Sequence, residues 1–314
     1  MCNHQSPHSA VLLAKMLRGI IAQFPGSVPD SKSEMQRPHP TVDKIVQERL
    51  SKWNLGMERH IYKKPFVVGY SIATASYHHV APEVQAEIAL YTGLVVLVDD
   101  GLLDTAAVRE FVPRLCSGLP QLHPALDCLV EACHNLQQYF TTYGAHAIYS
   151  STIDFVNSEL FQQHAKEMDY NQSSAPYIQY IRDKDGLIPS YAAFVWTKDI
   201  TPQTEEYIQA FPDTMEIVNI VNDIFSYYKE MKAGETRTFL VKLATANGRE
   251  ELEELTNLIG RLSLLVGRAR GILGEGKARE AWESFMEGSI RYYLQTPRYE
   301  LEEVLPELRL DSDS

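Results

Sequence analysis

Three oxygen-bearing side chains recur at four-residue intervals in the stretch 215–232. Asn222, Ser226 and Glu230 are spaced i, i+4 and i+8 within an apolar helical pattern. On an α-helix each four-residue step advances about 40° beyond a full turn, so the three side chains share one face. A polar stripe in a buried helix costs free energy unless partners satisfy it, and oxygen donors suit a hard cation such as Mg²⁺. The stripe indicates either a magnesium site or side-chain hydrogen bonds in a helix core.

A second group of oxygen donors follows the charge-free stretch 88–98. Asp99, Asp100 and Asp104 stand at its end, where carboxylates are unfavourable with the helix dipole. They are either a solvated helix end or one wall of a metal site. Two such groups about 120 residues apart favour a cavity that holds several Mg²⁺ ions. Because Mg²⁺ usually bridges to substrate phosphates, a diphosphate is the expected ligand.

The composition limits the classes of partner. The chain has 314 residues, is 45% hydrophobic and carries a formal net charge of −12. Such a surface is a poor match for nucleic acid or anionic membrane.

No run of eighteen apolar residues predicts a membrane span, and the first residues lack the basic region of a signal peptide. The four cysteines form no CxxC pair, which suits a reducing compartment, and we expect a cytoplasmic location.

Apolar residues that recur at three and four positions indicate helices along nearly the whole chain. We expect one all-α domain over residues 41–314 whose helices surround a central cavity. An N-terminal segment, 1–40, precedes it, and its stretch 26–40 is expected to be mobile. The predicted helices are 9–24, 42–54, 66–79, 82–99, 105–112, 124–141, 146–168, 175–183, 187–198, 203–210, 213–232, 237–246, 249–272 and 277–295.

A helix break is predicted where Arg182 and Asp185 precede Gly186 and Pro189 follows. A break exposes backbone groups to a ligand, and Arg182 could bind a phosphate through two N–H groups. The same pattern fits an ordinary helix C-terminus with a capping glycine. Three further candidates for anion binding, each also compatible with a surface position, are Lys229, Arg298 and Tyr299.

Aromatic side chains are frequent near these motifs. An aromatic wall stabilises a cation by about 0.5–2 kcal/mol per ring, although ordinary core packing explains each ring taken singly. The candidates for the cavity wall are Phe66, Tyr70, Tyr91, Phe155, Trp196 and Tyr292, and Phe194, Phe225 and Tyr293 lie near the same motifs.

Together the motifs resemble those of class I terpene synthases, and in particular the trichodiene synthase family. The signature Asn-Asp-x-x-Ser-x-x-x-Glu is complete over residues 222–230, and an aspartate-rich motif lies upstream. The stretch 182–186 is similar to the family's diphosphate sensor (Arg182), linker (Asp185) and helix-break effector (Gly186). The Arg-Tyr dipeptide at 298–299 stands where the family has its C-terminal Arg-Tyr.

The aspartate motif departs from the family's DDxxD pattern, because Leu103 stands where a carboxylate is usual. The family pattern makes Asp99 the direct metal ligand and lets Asp100 pair with Arg298 on closure. Helix geometry alone makes Asp100 and Asp104 the better pair, since they are spaced i, i+4. Both assignments remain open at the level of sequence.

The resemblance implies an Mg²⁺-dependent sesquiterpene synthase that cyclises farnesyl diphosphate to a hydrocarbon or alcohol. Three Mg²⁺ ions, with Mn²⁺ as the alternative metal, would be held by Asp99, Asn222, Ser226 and Glu230. Arg182, Lys229, Arg298 and Tyr299 would bind the diphosphate, and a homodimer is compatible with the family.

Two other functions are compatible with parts of the pattern. A head-to-head prenyl synthase of the squalene or phytoene type uses DxxxD motifs, and Asp100 to Asp104 fits one. Such an enzyme needs a second DxxxD motif, where this chain has the Asn/Ser/Glu stripe. A catalytically inactive protein that binds prenyl diphosphates would explain the altered aspartate motif. The sequence does not determine the product or the choice among C10, C15 and C20 substrates.

Overall fold

The structure is a computed structural model that describes residues 7–28, 39–165, 168, 171 and 173–308. These ranges contain thirteen α-helices and no β-strand, which confirms the all-α prediction. In chain order the helices are α1 (Pro7–Ile21), α2 (Pro40–Lys52), α3 (Arg59–Ser76), α4 (Pro82–Asp99), α5 (Thr105–Cys116), α6 (Pro124–Gln137), α7 (Thr142–Ala165), α8 (Ala175–Asp185), α9 (Ile188–Ala193), α10 (Phe211–Ala233), α11 (Phe239–Asn247), α12 (Glu251–Leu273) and α13 (Lys277–Gln295).

Several helices begin where the local sequence favours a start. Proline stands in the first turn of α2, α4, α6 and α10, where its missing N–H removes no helical hydrogen bond. The Asp104 side chain accepts a hydrogen bond from the backbone N–H of Ala106 and so caps α5. Thr238 caps α11 in the same way through the N–H of Val241. These caps fix the chain directly after α4 and shortly after α10.

Helix α4 is buried around most of its circumference. Residues 84–95 and 97–98 are all buried. Helix α3 packs closely along it at Gly93, where an added Cβ would overlap the Phe66 ring. Glu87 is the one charged residue in this buried stretch, and it accepts a hydrogen bond from Arg49 Nη2 at 2.8 Å. Asp99 therefore stands at the C-terminal end of a tightly packed helix.

A central cavity lies between α3, α9, α10 and α13, and the junction of α8 with α9 closes one side. Helix α10 packs against α9 and α12, and α13 packs against α3. Each of these helices turns an apolar face towards the cavity, as the 3.6-residue periodicity predicts. The arrangement matches the expected bundle around a central cavity.

Several predicted helices are wrong in extent. The helix predicted over 66–79 begins earlier, at Arg59, because Pro65 is accommodated within it. The stretch 203–210 contains only a 3₁₀ turn, Thr204–Glu206, because the chain beyond it follows the packing of the buried Tyr207 ring and not local helix propensity. The helix predicted over 187–198 ends at Ala193. Beyond it the chain turns so that the Trp196 ring stacks on Tyr207, with ring centroids 4.7 Å apart. Tertiary packing replaces helical hydrogen bonds in this segment.

The N-terminal helix α1 joins the main hydrophobic core through Leu13, Leu17 and Ile20. The predicted mobile stretch 26–40 falls mostly on residues 29–38, which lie outside the described residues. Within the described part of the chain, no helix combines the length and apolar character that crossing a bilayer requires.

Candidate active site

A polar recess of about 390 Å³ opens where the C-terminal end of α4 faces α10. Asp99 from the end of α4 lines it together with Asn222 and Glu230 from α10. Arg182 and Asp185 from the end of α8 complete the floor. The structure therefore brings together oxygen donors from two helices that are far apart in sequence.

Two of the three side chains of the α10 stripe lie at the recess, and Ser226 is not among the residues that line it. Asn222 and Glu230 line the recess, while Ser226 between them is 3% exposed and its hydroxyl lies 3.5 Å from the carbonyl oxygen of Asp223. The Asn222 amide Nδ2 donates to Tyr293 Oη at 3.0 Å, and its Oδ1 accepts from Arg182. The amide oxygen is thus directed at Arg182 and the amide nitrogen at α13.

The structure decides between the two pairings of the aspartate cluster. Helix α4 ends at Asp99, and Asp100 is its C-cap, so the i, i+4 geometry of Asp100 with Asp104 does not exist. Asp104 instead caps α5, with its Oδ1 3.0 Å from the Ala106 nitrogen. Asp99 is the aspartate of this cluster that lines the recess. The helical pairing of Asp100 with Asp104 is therefore absent, and the assignment of Asp99 as the metal ligand stays a prediction.

The Asp99 side chain is in contact with solvent inside the recess, yet its surroundings disfavour the charged form of its carboxyl group. Surrounding protein and the neighbouring Asp100 raise the pKa of the Asp99 carboxyl, while the charges of Arg298 and Arg182 oppose the rise. A bound cation would relieve the repulsion between Asp99 and Asp100. The proposed role of Asp99 as a metal ligand remains a prediction.

Arg182 is held by the residues of the signature on α10. Its Nη2 donates to Asp223 Oδ1 at 2.7 Å and to Asn222 Oδ1 at 2.9 Å. Burial raises the pKa of Asp223 to about 6 although Arg182 opposes the shift. Asp185 Oδ1 lies 3.7 Å from Arg182 Nη1, and burial likewise raises the pKa of Asp185 to about 6. Arg182 therefore links α8 to α10 at the floor of the recess.

The break between α8 and α9 lies at the predicted position, but its backbone distortion falls on a different residue. Gly186 has φ −83°, whereas Leu187 adopts the left-handed conformation with φ 51°. A Cβ on Gly186 would lie 2.8 Å from Ile188 Cδ1. A larger residue at Gly186 would therefore require the Ile188 side chain to shift, and the left-handed backbone strain of about 1–2 kcal/mol is carried by the buried Leu187.

An apolar cavity of about 210 Å³ adjoins the recess, and Arg182 and Asn222 line both. Aromatic rings from α9, from α13 and from the C-cap of α3 form much of its wall. The lining residues include Ile72, Ser76, Tyr77, Tyr191, Val221, Phe285, Met286, Ser289, Tyr292 and Tyr293. Space for a hydrocarbon chain therefore lies directly behind the polar groups.

Most of the predicted cavity aromatics lie elsewhere, and Tyr292 is the one that lines this cavity. Phe66 and Tyr70 line a separate groove between α2 and α3. Tyr91, Phe155 and Trp196 are buried in the core, each at most 1% exposed. Proximity in sequence to a motif does not determine which way a helical side chain points, and that is why these assignments fail.

The remaining predicted anion-binding residues lie beside the polar groups. Lys229 Nζ is 3.3 Å from Glu230 Oε1 and 5.9 Å from the centre of the Tyr299 ring. Tyr299 is buried against Tyr293, with ring centroids 4.8 Å apart. Arg298 is exposed, and its charge acts on Asp99. Their proposed roles in binding diphosphate remain predictions.

Sequence reasoning missed several residues that line these two spaces. Arg237 and Lys242 add positive charge to the recess, and two basic residues shortly after the α10 signature were the available signal. Phe285 and Ser289 precede the correctly predicted Tyr292 at the i, i+4, i+7 spacing of one helical face, which was the available signal for them. Tyr77 and Tyr191 line the apolar cavity without any local signal.

A family model described as trichodiene synthase (TRI5) matches residues 66–313. The chain belongs to the trichodiene synthase family. It is similar to monoterpene synthase 25 of Postia placenta (34% identity over 270 residues, 85% of this chain and 80% of the relative). It is also similar to alpha-cuprenene synthase COP6 of Coprinopsis cinerea (28% identity over 251 residues, 79% and 77%). The predicted enzyme class, a terpene synthase that is a carbon–oxygen lyase acting on phosphates, is confirmed.

A solved structure shows the same fold. The linalool/nerolidol synthase from Streptomyces clavuligerus superposes with a TM-score of 0.55 at 15% identity, covering 85% of this chain and 96% of that one. The predicted class I terpenoid synthase bundle is therefore confirmed.

Proposed function

We propose that this terpene synthase ionises farnesyl diphosphate in an Mg²⁺-dependent reaction, cyclises the resulting cation and releases diphosphate. One observation carries the proposal: a recess with facing oxygen donors opens directly onto an aromatic, apolar cavity. The recess suits the diphosphate, and the cavity suits the hydrocarbon chain. Arg182 and Asn222 stand at the boundary, where the bond to be broken would lie.

The donor chemistry fits magnesium better than a soft metal. The groups on offer are the carboxylates of Asp99 and Glu230 and the amide oxygen of Asn222, all hard oxygen donors. Among the described residues, no three His, Cys, Asp or Glu side chains are close enough together to hold a metal ion. A divalent ion here would therefore draw ligands from Asn222 and from the diphosphate itself.

The chain's own residues stabilise the leaving group. Mg²⁺, when bound, supplies Lewis-acid polarisation of the diphosphate oxygens. Arg182, freed from Asn222, can direct two N–H groups at those oxygens, and Lys229 and Arg298 add positive charge from nearby elements. These groups stabilise the negative charge that develops on the leaving oxygen as its bond to the allylic carbon breaks.

The apolar cavity then controls the carbocation. Rings from Tyr77, Tyr191, Phe285 and Tyr292 turn aromatic surface towards the cavity and keep it apolar. Their π-faces stabilise positive charge by about 0.5–2 kcal/mol each, and the wall excludes bulk water. Loss of a proton from the cyclic cation gives a hydrocarbon, and capture of one water followed by loss of a proton gives an alcohol.

A second candidate substrate is the C10 geranyl diphosphate. The relative at 34% identity is a monoterpene synthase by name, and the apolar cavity of about 210 Å³ is small. Both substrates would use the same recess and the same chemistry. They differ only in the length of chain that the cavity must hold.

The test is incubation of the purified chain with C10, C15 and C20 diphosphates separately, with and without Mg²⁺, followed by analysis of volatiles and of diphosphates. We expect cyclic sesquiterpenes from the C15 substrate and no turnover without a divalent ion. Cyclic products from the C10 substrate alone would establish the second candidate. Release of longer or head-to-head prenyl products, or no reaction with any of the three substrates, would contradict the proposal.

A further inference from the structure

Tyr293 of α13 is placed to fix the orientation of the Asn222 amide. Asn222 Nδ2 donates to Tyr293 Oη at 3.0 Å, while Arg182 Nη2 donates to Asn222 Oδ1 at 2.9 Å. A guanidinium can only donate, so the atom that faces Arg182 must be the amide oxygen. The opposite amide atom is therefore the nitrogen, and the Tyr293 hydroxyl accepts its hydrogen bond.

The two hydrogen bonds of the Asn222 side chain cannot both persist when the site binds a metal ion as proposed. Arg182 and a metal ion compete for the same atom, Asn222 Oδ1. Once Arg182 turns to the diphosphate, the Tyr293 hydroxyl is the contact on the described residues that keeps the amide nitrogen away from the recess. Without it, a 180° flip would point an N–H₂ group at the cation and remove one ligand.

We propose that Tyr293 is the positioning residue that orients Asn222 for metal binding, an inference that rests on the proposed Mg²⁺ site. Partners that orient a metal ligand typically change metal affinity by about 10–100-fold when they are removed. Tyr293 is suited to this task because its ring is fixed. It stacks on Phe225 with ring centroids 5.4 Å apart and packs against Tyr299.

The variant Tyr293→Phe removes the hydroxyl and keeps the ring and its packing. The probe is MgCl₂ added at a fixed concentration of inorganic diphosphate, read as the midpoint of thermal unfolding, which requires no turnover. We expect half-maximal stabilisation to need at least roughly tenfold more Mg²⁺ in the variant. Unfolding without Mg²⁺ and diphosphate checks that the variant is folded.

Two further variants separate orientation from other effects. Tyr227→Phe removes a hydroxyl from α10 that contacts Glu251, away from both spaces, and its Mg²⁺ dependence should equal that of the unmodified chain. In an Asn222→Asp background the side chain has two equivalent oxygens and no wrong orientation. There, adding Tyr293→Phe should change the half-maximal Mg²⁺ concentration less than about twofold.

The outcomes distinguish this inference from the proposed function. If Mg²⁺ and diphosphate together do not stabilise the unmodified chain, the metal site itself is wrong, and the inference fails with it. If they do stabilise it and Tyr293→Phe responds identically, Tyr293 has no orienting role and the inference alone is overturned. An equally large effect in the Asn222→Asp background would also overturn it, because the effect could not then come from amide orientation.

Discussion

At the scale of single residues, the stripe on α10 is the part of the site that substitution tests most directly. Asn222→Ala or Glu230→Ala removes one oxygen donor from the recess wall. We expect each to lower turnover at least about tenfold, a barrier change of about 1.4 kcal/mol. Steady-state assays with the accepted prenyl diphosphate measure this. Normal turnover in either variant would refute the assignment of that residue as a ligand.

Asp99 and Asp104 should respond in opposite ways. Asp99 lines the recess, so Asp99→Ala should lower turnover and leave the fold intact. Asp104 caps α5, so Asp104→Ala should cost about 1 kcal/mol of stability and leave turnover nearly unchanged. Chemical denaturation and steady-state kinetics on both variants provide the comparison. If Asp104→Ala lost more turnover than Asp99→Ala, capping α5 would not be the main role of Asp104.

A histidine outside the site makes stability depend on pH. Burial lowers the pKa of His79 to about 4, against the opposing hydrogen bond with the Val195 carbonyl. The unfolded chain takes up a proton near pH 6.5, but the folded chain does so only near pH 4. The free energy of unfolding therefore falls as pH drops through this window, by at most about 3 kcal/mol from this group.

Replacing the ring with an amide isolates that contribution. His79→Gln should flatten the loss of stability between pH 7 and pH 4.5, measured by urea unfolding at several pH values. The exposed neighbour His78 gives the matched control His78→Gln. The prediction fails if the two variants lose stability in parallel as the pH falls.

At the scale of secondary-structure elements, close contact between helices sets what the cavity walls tolerate. Gly288 on α13 lies against α3, and an added Cβ would overlap the backbone oxygen of Ala75. Gly288→Ala should therefore destabilise the chain by about 1–3 kcal/mol. It should also alter the product mixture, because α13 carries Ser289 and Tyr292 on the cavity wall.

The matched control is a glycine on an open helix face. Gly267 of α12 is exposed, and an added Cβ there would meet nothing within 4 Å. Gly267→Ala should stabilise the chain by about 0.5–1 kcal/mol and leave the products unchanged. Thermal unfolding and product analysis of both variants test the pair. If the two substitutions had equal effects on stability, the close contact of α13 with α3 at Gly288 would not be required.

At the scale of the whole molecule, the fold and the proposed metal chemistry should be separable. The described residues present no cluster of three acidic, histidine or cysteine ligands, and the core is one continuous apolar cluster. We therefore expect EDTA to leave the unfolding midpoint of the substrate-free chain unchanged and to abolish turnover, with recovery on added Mg²⁺. A large drop in the unfolding midpoint with EDTA would contradict the prediction by revealing a metal ion that stabilises the fold.

The sequence predicted helices well wherever a long periodic pattern had a proline at its start, as in α4, whose predicted and observed bounds agree. Short elements between prolines were predicted poorly, as in 203–210, because packing of Tyr207 on Trp196 overrides local propensity there. In the site, the spacing along α10 was enough to place Asn222 and Glu230 on one wall. The cavity aromatics were not predictable in this way, since their direction depends on how whole helices pack.

The amino-acid order by itself determined the polar stripe of α10, because the spacing of side chains on a single helix is a local property. It also indicated the helix break at Gly186 and the membership of the family. The choice of Asp99 over Asp104 depended on where α4 stops and α5 is capped, which backbone and side-chain hydrogen bonds decide together. The contact between Asn222 and Tyr293 joins residues 71 positions apart. Only the packing of α13 against its neighbours could bring them together, because side chains so distant in sequence meet through tertiary contacts alone.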